Sequence, residues 1–164
     1  MFDLNKKEAG SAVFNNGVAG KAVGVTVTVE KRKVDEPDSY PDYKLVVSDE
    51  SGGIPINQGF YINSEDDEKR QQMTYQRVKS IAEAVVPEEF VYPEVTGYID
   101  AMNTLFKVIK ENCDGKKVDV FVTYGYTAKP SKYLGLRMFN FIQKQGASFD
   151  RLKPSNTDIL ERPE

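Results

Sequence analysis

The chain of 164 residues contains no histidine, which removes much of ordinary enzyme chemistry. Histidine is the usual general base near neutral pH, the partner of serine and cysteine nucleophiles, and a common ligand of zinc and iron. An enzyme made from this sequence would have to work with carboxylates, lysine or tyrosine alone. We therefore expect a protein that is not an enzyme and that needs no cofactor.

Cysteine and long apolar runs are equally scarce. Cys113 is the single cysteine, so an intrachain disulfide and a cysteine-rich metal site are both excluded. We expect Cys113 to be a buried helix residue, since free cysteine behaves as a small hydrophobe. No apolar run approaches the about 20 residues that a membrane span requires, and the N-terminus has no signal-peptide core. These features predict a cytoplasmic protein without a membrane association.

Charge is distributed unevenly along a chain whose net charge is −3. Residues 35–68 contain ten acidic residues and one lysine, whereas residues 115–146 contain six basic residues and one acidic residue. The distribution of charge determines where a polyanion could bind more than the net charge does. The basic stretch is therefore the first place to look for nucleic-acid binding.

Periodicity predicts three strands, two helices and two more strands. Alternating apolar residues indicate strands that begin near Lys21, at 43–48 and at 56–62. A helix is expected to open at Ser64 with Asp67 in its first turn, followed after Pro87 by a second helix that ends at 114–115. The last two strands lie within residues 116–144.

The stretch 116–144 is also the most informative for function. Two alternating strands flank a predicted turn at 129–132, and side chains in a strand alternate between faces. Rings and cations suit a flexible single-stranded polynucleotide, because bases stack on rings and phosphates meet positive charge. One face of the second strand combines three aromatic rings with a guanidinium, from Tyr133, Arg137, Phe139 and Phe141.

This element order is that of the OB-fold, a five-stranded, partly open Greek-key barrel that binds oligonucleotides. We therefore predict a mainly β, α+β protein. Residues 1–146 would form a five-stranded OB-fold barrel with helices between its third and fourth strands, and residues 147–164 a mobile tail. A five-stranded sheet of another topology is the alternative.

The chain resembles the single-stranded DNA-binding proteins of tailed bacteriophages. The resemblance lies in strand order, in charge layout and in the stretches 13–18, 40–44 and 133–141. It implies a protein that coats and protects single-stranded DNA in phage replication, recombination or repair, in the host cytoplasm and without sequence preference. It also implies phage replication proteins, such as a polymerase or a helicase–primase, as further partners. The tail departs from the strongly acidic tails of such proteins, because its acids alternate with basic residues.

The candidate DNA-binding residues form two sets, and some of the rings must fill the barrel instead. Seven aromatic residues are candidates for stacking: Tyr43, Phe60, Tyr61, Tyr126, Tyr133, Phe139 and Phe141. Seven basic residues are candidates for phosphate contacts: Lys31, Arg32, Lys33, Lys44, Lys129, Lys132 and Arg137.

Two other functions compete with DNA binding. The aromatic strand could serve a non-enzymatic protein–protein interaction module, such as a virion component or an adaptor. Asp42 and Lys44 match the acid-x-Lys half of a metal-dependent nuclease core, although that chemistry needs a second carboxylate nearby. Tight binding to single strands with weak binding to duplex would favour DNA binding, because stacking requires unpaired bases.

Overall fold

A computed structural model describes residues 13–147 and 150–164. The remaining residues, 1–12 and 148–149, lie outside the described part. The described elements are a short 3₁₀ turn (Phe14–Gly17), six strands and two helices, in the order β1 (Gly20–Lys31), β2 (Tyr43–Ser48), β3 (Ile56–Phe60), α1 (Glu68–Val85), α2 (Tyr98–Asn112), β4 (Val118–Tyr126), β5 (Lys129–Leu136) and β6 (Ile142–Lys144).

β1 pairs with two different neighbours. Residues 20–25 pair with β4 and residues 26–31 pair with β2. The register with β4 shifts where Gly24 has a φ of 69° and donates its N–H to the buried carboxylate of Asp119, at 3.1 Å. A bulge of this kind bends a strand, so β1 belongs to both halves of a curved sheet.

All strand pairs are antiparallel, and the sheet order is β3-β2-β1-β4-β5. β6 pairs with β4 as well. The predicted mainly β composition with two helices between β3 and β4 is confirmed. The predicted five-stranded OB-fold barrel is not confirmed, because the described residues form six strands and no ladder joins β3 to β5 to close the sheet. These two edge strands nevertheless contact each other.

The helices pack on each other and on the sheet. α1 begins one turn later than predicted: Asp67 itself is the N-cap, and its carboxylate accepts the N–H of Arg70 at 2.8 Å. Cys113 is buried as predicted and caps the C-terminus of α2. Within the described ranges, neither helix is long and apolar enough to cross a membrane. The buried residues of the helices include Val78, Ile81, Ala82 and Val85 in α1 and Met102, Phe106 and Ile109 in α2.

The β4–β5 hairpin differs from its prediction in two ways. Its turn is Thr127–Ala128, so residues 129–132 lie in β5 rather than in the turn. The chain leaves the sheet after β5 and re-enters as β6, with Asn140 at a φ of 51° in between. Strand alternation therefore stops before Phe139 and Phe141, of which the first is 42% exposed and the second 1%.

The C-terminal segment, residues 150–164, is part of the folded unit. Tyr124 donates its N–H to the carbonyl of Ile159 at 2.8 Å, and Ile159 donates its own N–H to the carbonyl of Gly125 at 3.1 Å. Leu152 is buried. The prediction of a mobile tail is therefore wrong for these residues, because backbone hydrogen bonds to β4 and one apolar anchor hold them.

Candidate nucleic-acid interface

A groove with a volume of about 940 Å³ runs along the β4–β5 hairpin. The C-terminal segment forms another wall, and Gln58 of β3 and Arg77 of α1 line it as well. We call it the hairpin groove. It brings together five of the residues predicted from sequence, namely Tyr126, Lys129, Tyr133, Arg137 and Phe139.

Tyr133 lies in an irregular, bulged part of β5 and is exposed to solvent. Gly135 pairs with Thr123 and Pro130 pairs with Gly125, so residues 131–134 lie opposite a single residue of β4. Bulges of this kind redirect side chains, and the Tyr133 side chain is 78% exposed. Its backbone N–H is satisfied locally, because Ser131 Oγ accepts it at 3.1 Å. The exposed ring is therefore available to a ligand in the groove.

The hairpin groove is basic although the chain is acidic overall. Among the described residues, five basic residues and one acid line it, which gives a net charge of +4. The single acid, Asp158, is itself paired with Arg137. The local field therefore favours an anionic ligand. The five basic residues are Arg77, Lys129, Arg137, Arg151 and Lys153.

Arg137 does not have the predicted role in phosphate binding. A guanidinium has five N–H donors, and the protein occupies all five. Nε donates to the carbonyl of Phe139, while Nη1 and Nη2 donate to three further carbonyls and to Asp158. The guanidinium also lies over the Phe121 ring, 4.2 Å from its centroid. Arg137 therefore fastens the C-terminal segment to the end of β5, and the phosphate prediction for it is wrong.

Three of the predicted stacking residues belong to the core. Tyr43, Phe60 and Phe141 are 7%, 3% and 1% exposed. Tyr43 stacks on Phe106 with ring centroids 4.1 Å apart, and its hydroxyl donates to Asn103 Oδ1 at 2.7 Å. Burial first, and the nearby Asp42 second, raise the pKa of Tyr43. Their prediction as stacking residues is wrong, because these rings face the helices.

Five of the other predicted residues form a second group around the β1–β2 loop. Arg32 contacts the carboxylates of Asp38 and Asp42, at 3.8 and 3.7 Å, so it mainly stabilises its own loop. Lys44 lies 3.9 Å from the exposed carboxylate of Glu30. Lys31 and Lys33 are exposed, and so is Tyr61, at 57%. We call Lys31, Arg32, Lys33, Lys44 and Tyr61 the loop cluster.

The loop cluster and the hairpin groove each include one residue in or just after β3, Tyr61 and Gln58 respectively. Tyr61 follows Gln58 by three residues, a distance of about 10 Å along an extended chain. Tyr61 in turn donates its hydroxyl to the carbonyl of Ser39 in the β1–β2 loop, at 3.3 Å. Lys132 is exposed within the β5 bulge but does not line the groove.

The sequence analysis missed three basic residues of the hairpin groove. Arg151 and Lys153 were assigned to a mobile tail, and no local pattern indicated that this segment returns to β4. Arg77 did carry a signal, because it lies three residues after Thr74 and four before Ile81, on the apolar face of α1. A charged residue on that face is a candidate for a special environment.

The nuclease motif does not assemble a metal site in the described residues. Asp42 accepts the N–H of Ile62 at 2.7 Å and faces Arg32. No group of three or more cysteine, aspartate and glutamate side chains within ranges 13–147 and 150–164 is placed to hold a metal ion.

Comparisons with protein-family models, with curated proteins and with solved structures give no match for this chain. Any function must therefore be argued from the groove itself, because a fold does not imply a function.

Proposed function

We propose that the chain is a sequence-independent single-stranded DNA-binding protein and that the hairpin groove is its binding surface. One observation carries the proposal: the exposed rings of Tyr133 and Phe139 share a groove of net charge +4. Single-strand binders combine these two features, with rings for the bases and cations for the phosphates. Neither feature requires a particular base, so the binding would be largely sequence-neutral.

We also propose that the sheet is of the OB-fold type, and its strand pairing supports this. β1 pairs with both β2 and β4, and the edge strands β3 and β5 contact each other across the opening. Such a sheet would be a partly open barrel if the proposal is correct. The hairpin groove then lies between the fourth and fifth strands, in one of the two loop regions where OB-folds bind oligonucleotides, and the loop cluster lies in the other.

The proposed role of each residue in DNA binding follows from the solvent exposure of its side chain. Tyr133 and Phe139 would each stack a base, worth about 1–3 kcal/mol per ring. Lys129, Arg151 and Lys153 are exposed along the groove and would neutralise phosphates, with Lys31 and Lys33 extending the path. Neutralising about five phosphates would give a log–log salt slope of about −3.5.

We further propose that this activity serves phage replication, recombination or repair in the host cytoplasm. A polymerase or a helicase–primase would then be the natural protein partner. The proposal for these partners rests on the resemblance to phage single-stranded DNA-binding proteins. A non-enzymatic protein–protein interaction module is the second candidate, and the 44% exposure of Met138 beside Phe139 favours it. In that case the same rings would contact a protein.

Fluorescence anisotropy separates the two candidates. A labelled oligo-dT of about 30 nucleotides and a duplex of equal length are titrated with the protein at low and at moderate salt. Micromolar or tighter binding to the single strand, weak duplex binding and a steep salt dependence would support DNA binding. Absence of single-strand binding at low salt would overturn it and favour a protein interface.

A further inference from the structure

Arg77 is a partly buried cation that has no anionic partner among the described residues. It projects from α1 into the hairpin groove, and its guanidinium lies over the rings of Phe60 and Phe141, at 5.3 and 5.6 Å from their centroids. Its Nε is buried and has no hydrogen-bond partner among the described residues. Within that same part of the chain, no carboxylate lies within 4.0 Å of its guanidinium.

Leaving the buried Nε of a charged guanidinium without an acceptor costs free energy as long as no ligand is bound. Charged groups withdrawn from water are normally paired and hydrogen-bonded. The two rings offset part of the cost by cation–π attraction, but they give Nε no acceptor. Burial lowers the pKa of Arg77, which reflects the same loss of hydration. The other basic residues of the groove differ, because Lys129, Arg151 and Lys153 are exposed and Arg137 is fully hydrogen-bonded.

We infer that Arg77 is the phosphate-binding residue inside the hairpin groove, where a phosphate of the bound strand supplies the anion that the protein does not. A phosphate oxygen suits an unpaired guanidinium, because the fork of N–H donors matches it in charge and geometry. The inference rests on the proposed function and deepens it. It identifies a fixed phosphate position between α1 and β3, rather than loose contacts with exposed lysines alone.

The test compares Arg77→Gln with Arg70→Gln, a matched change on the same helix. Arg70 is 74% exposed and, within the described ranges, its side chain pairs with Asp66 alone, at 4.0 Å, and does not line the groove. Arg77→Gln should weaken binding to oligo-dT, oligo-dA and oligo-dC by the same factor, about tenfold, and reduce the salt slope by about 0.7. Arg70→Gln should change neither. An unchanged slope, or losses that depend on the base, would overturn the inference while leaving DNA binding intact.

A second variant separates binding from a structural role. Arg77→Met keeps the apolar stem and removes the unpaired charge, so its melting temperature should equal or exceed that of the wild type while its affinity for oligo-dT falls. A lower melting temperature with unchanged affinity would show that Arg77 only packs on Phe60 and Phe141.

Inorganic pyrophosphate tests the site without DNA. Its addition should shift the Nε–Hε NMR resonance of Arg77 in the wild-type protein and in Arg70→Gln, at constant ionic strength. A shift without oligo-dT binding would retain the anion site and reject only the proposed function. No shift would reject the site, whatever the DNA result.

Discussion

Arg137 and Asp158 form an ion pair of 3.1 Å in which both side chains are largely withdrawn from water, with 13% and 4% exposure. The pair joins the end of β5 to the C-terminal segment. It is supported by four backbone carbonyls that accept from the same guanidinium. Arg137, which the sequence predicts to contact DNA, therefore helps to hold the wall of the hairpin groove in place, together with the backbone hydrogen bonds to β4.

Replacing Arg137 should cost more stability than replacing its partner. Arg137→Ala leaves the Asp158 carboxylate buried without its counterion, which should cost about 3–5 kcal/mol. Asp158→Asn keeps the shape and four of the five acceptors of Arg137, so about 1–3 kcal/mol is expected. Urea unfolding measures both, with the exposed Arg151→Ala as the control that should stay within about 0.5 kcal/mol. Equal losses from the two main variants would contradict this account of the pair.

Replacing either exposed ring of the groove should weaken the binding of single-stranded DNA without lowering the free energy of unfolding. Tyr133→Leu and Phe139→Leu retain apolar bulk but lose the flat ring, so each should weaken oligo-dT binding by about 1–3 kcal/mol. Their unfolding free energies should change by no more than about 0.5 kcal/mol. Anisotropy and urea titration of the same samples provide the two readouts.

Phe141 provides the contrast for these rings. Phe141→Ala should lower the free energy of unfolding by about 3–5 kcal/mol, because the ring is 1% exposed. If Tyr133→Leu and Phe139→Leu left single-strand binding unchanged, stacking on this groove would be rejected.

Local pattern predicted the regular elements well and the groove only in part. The bounds of β2 were predicted correctly, since its residues alternate without interruption. The same rule failed after β5, because alternation applies only while the chain stays extended, and Asn140 adopts a left-handed conformation. No periodic signal marks such a residue.

The attachment of the C-terminal segment to β4 could not be predicted from the sequence, for a different reason. The segment contains few apolar residues, and its attachment depends on backbone hydrogen bonds to Tyr124 and Gly125 and on the Arg137 guanidinium. These are long-range contacts with no signature in nearby sequence. Tyr43, by contrast, could have been assigned to the core, because it shares a strand face with Leu45 and Val47, both fully buried.

Gly125 should be the least replaceable glycine of the hairpin. It has a φ of 79°, and a Cβ at this position would lie 2.4 Å from the carbonyl oxygen of Lys129. Gly115 has a similar φ of 71° but open space around it. Gly115→Ala should therefore cost only the conformational penalty of about 1–2 kcal/mol, and Gly125→Ala clearly more. Equal melting temperatures for the two variants would show that the hairpin relaxes around the added methyl group.

Tyr43→Phe tests whether this ring is structural, and it has a pH signature. At pH 7 the variant loses the hydrogen bond to Asn103, so it should be about 0.5–1.5 kcal/mol less stable. Its affinity for oligo-dT should equal that of the wild type, because the ring packs on Phe106 and does not reach the groove.

The sign of the pH effect follows from the raised pKa of Tyr43. Folding favours the protonated phenol, so its contribution is fully present below the unfolded-state pKa of about 10 and is lost as the pH rises through the folded-state value. The stability difference between wild type and Tyr43→Phe should therefore shrink above about pH 10. Other tyrosines and lysines titrate in both proteins, so the difference between their urea-unfolding free energies isolates Tyr43. A stability difference that stays constant across alkaline pH would show that the phenol is not desolvated in the folded state. Weaker oligo-dT binding by Tyr43→Phe would show instead that Tyr43 contributes to the DNA interface.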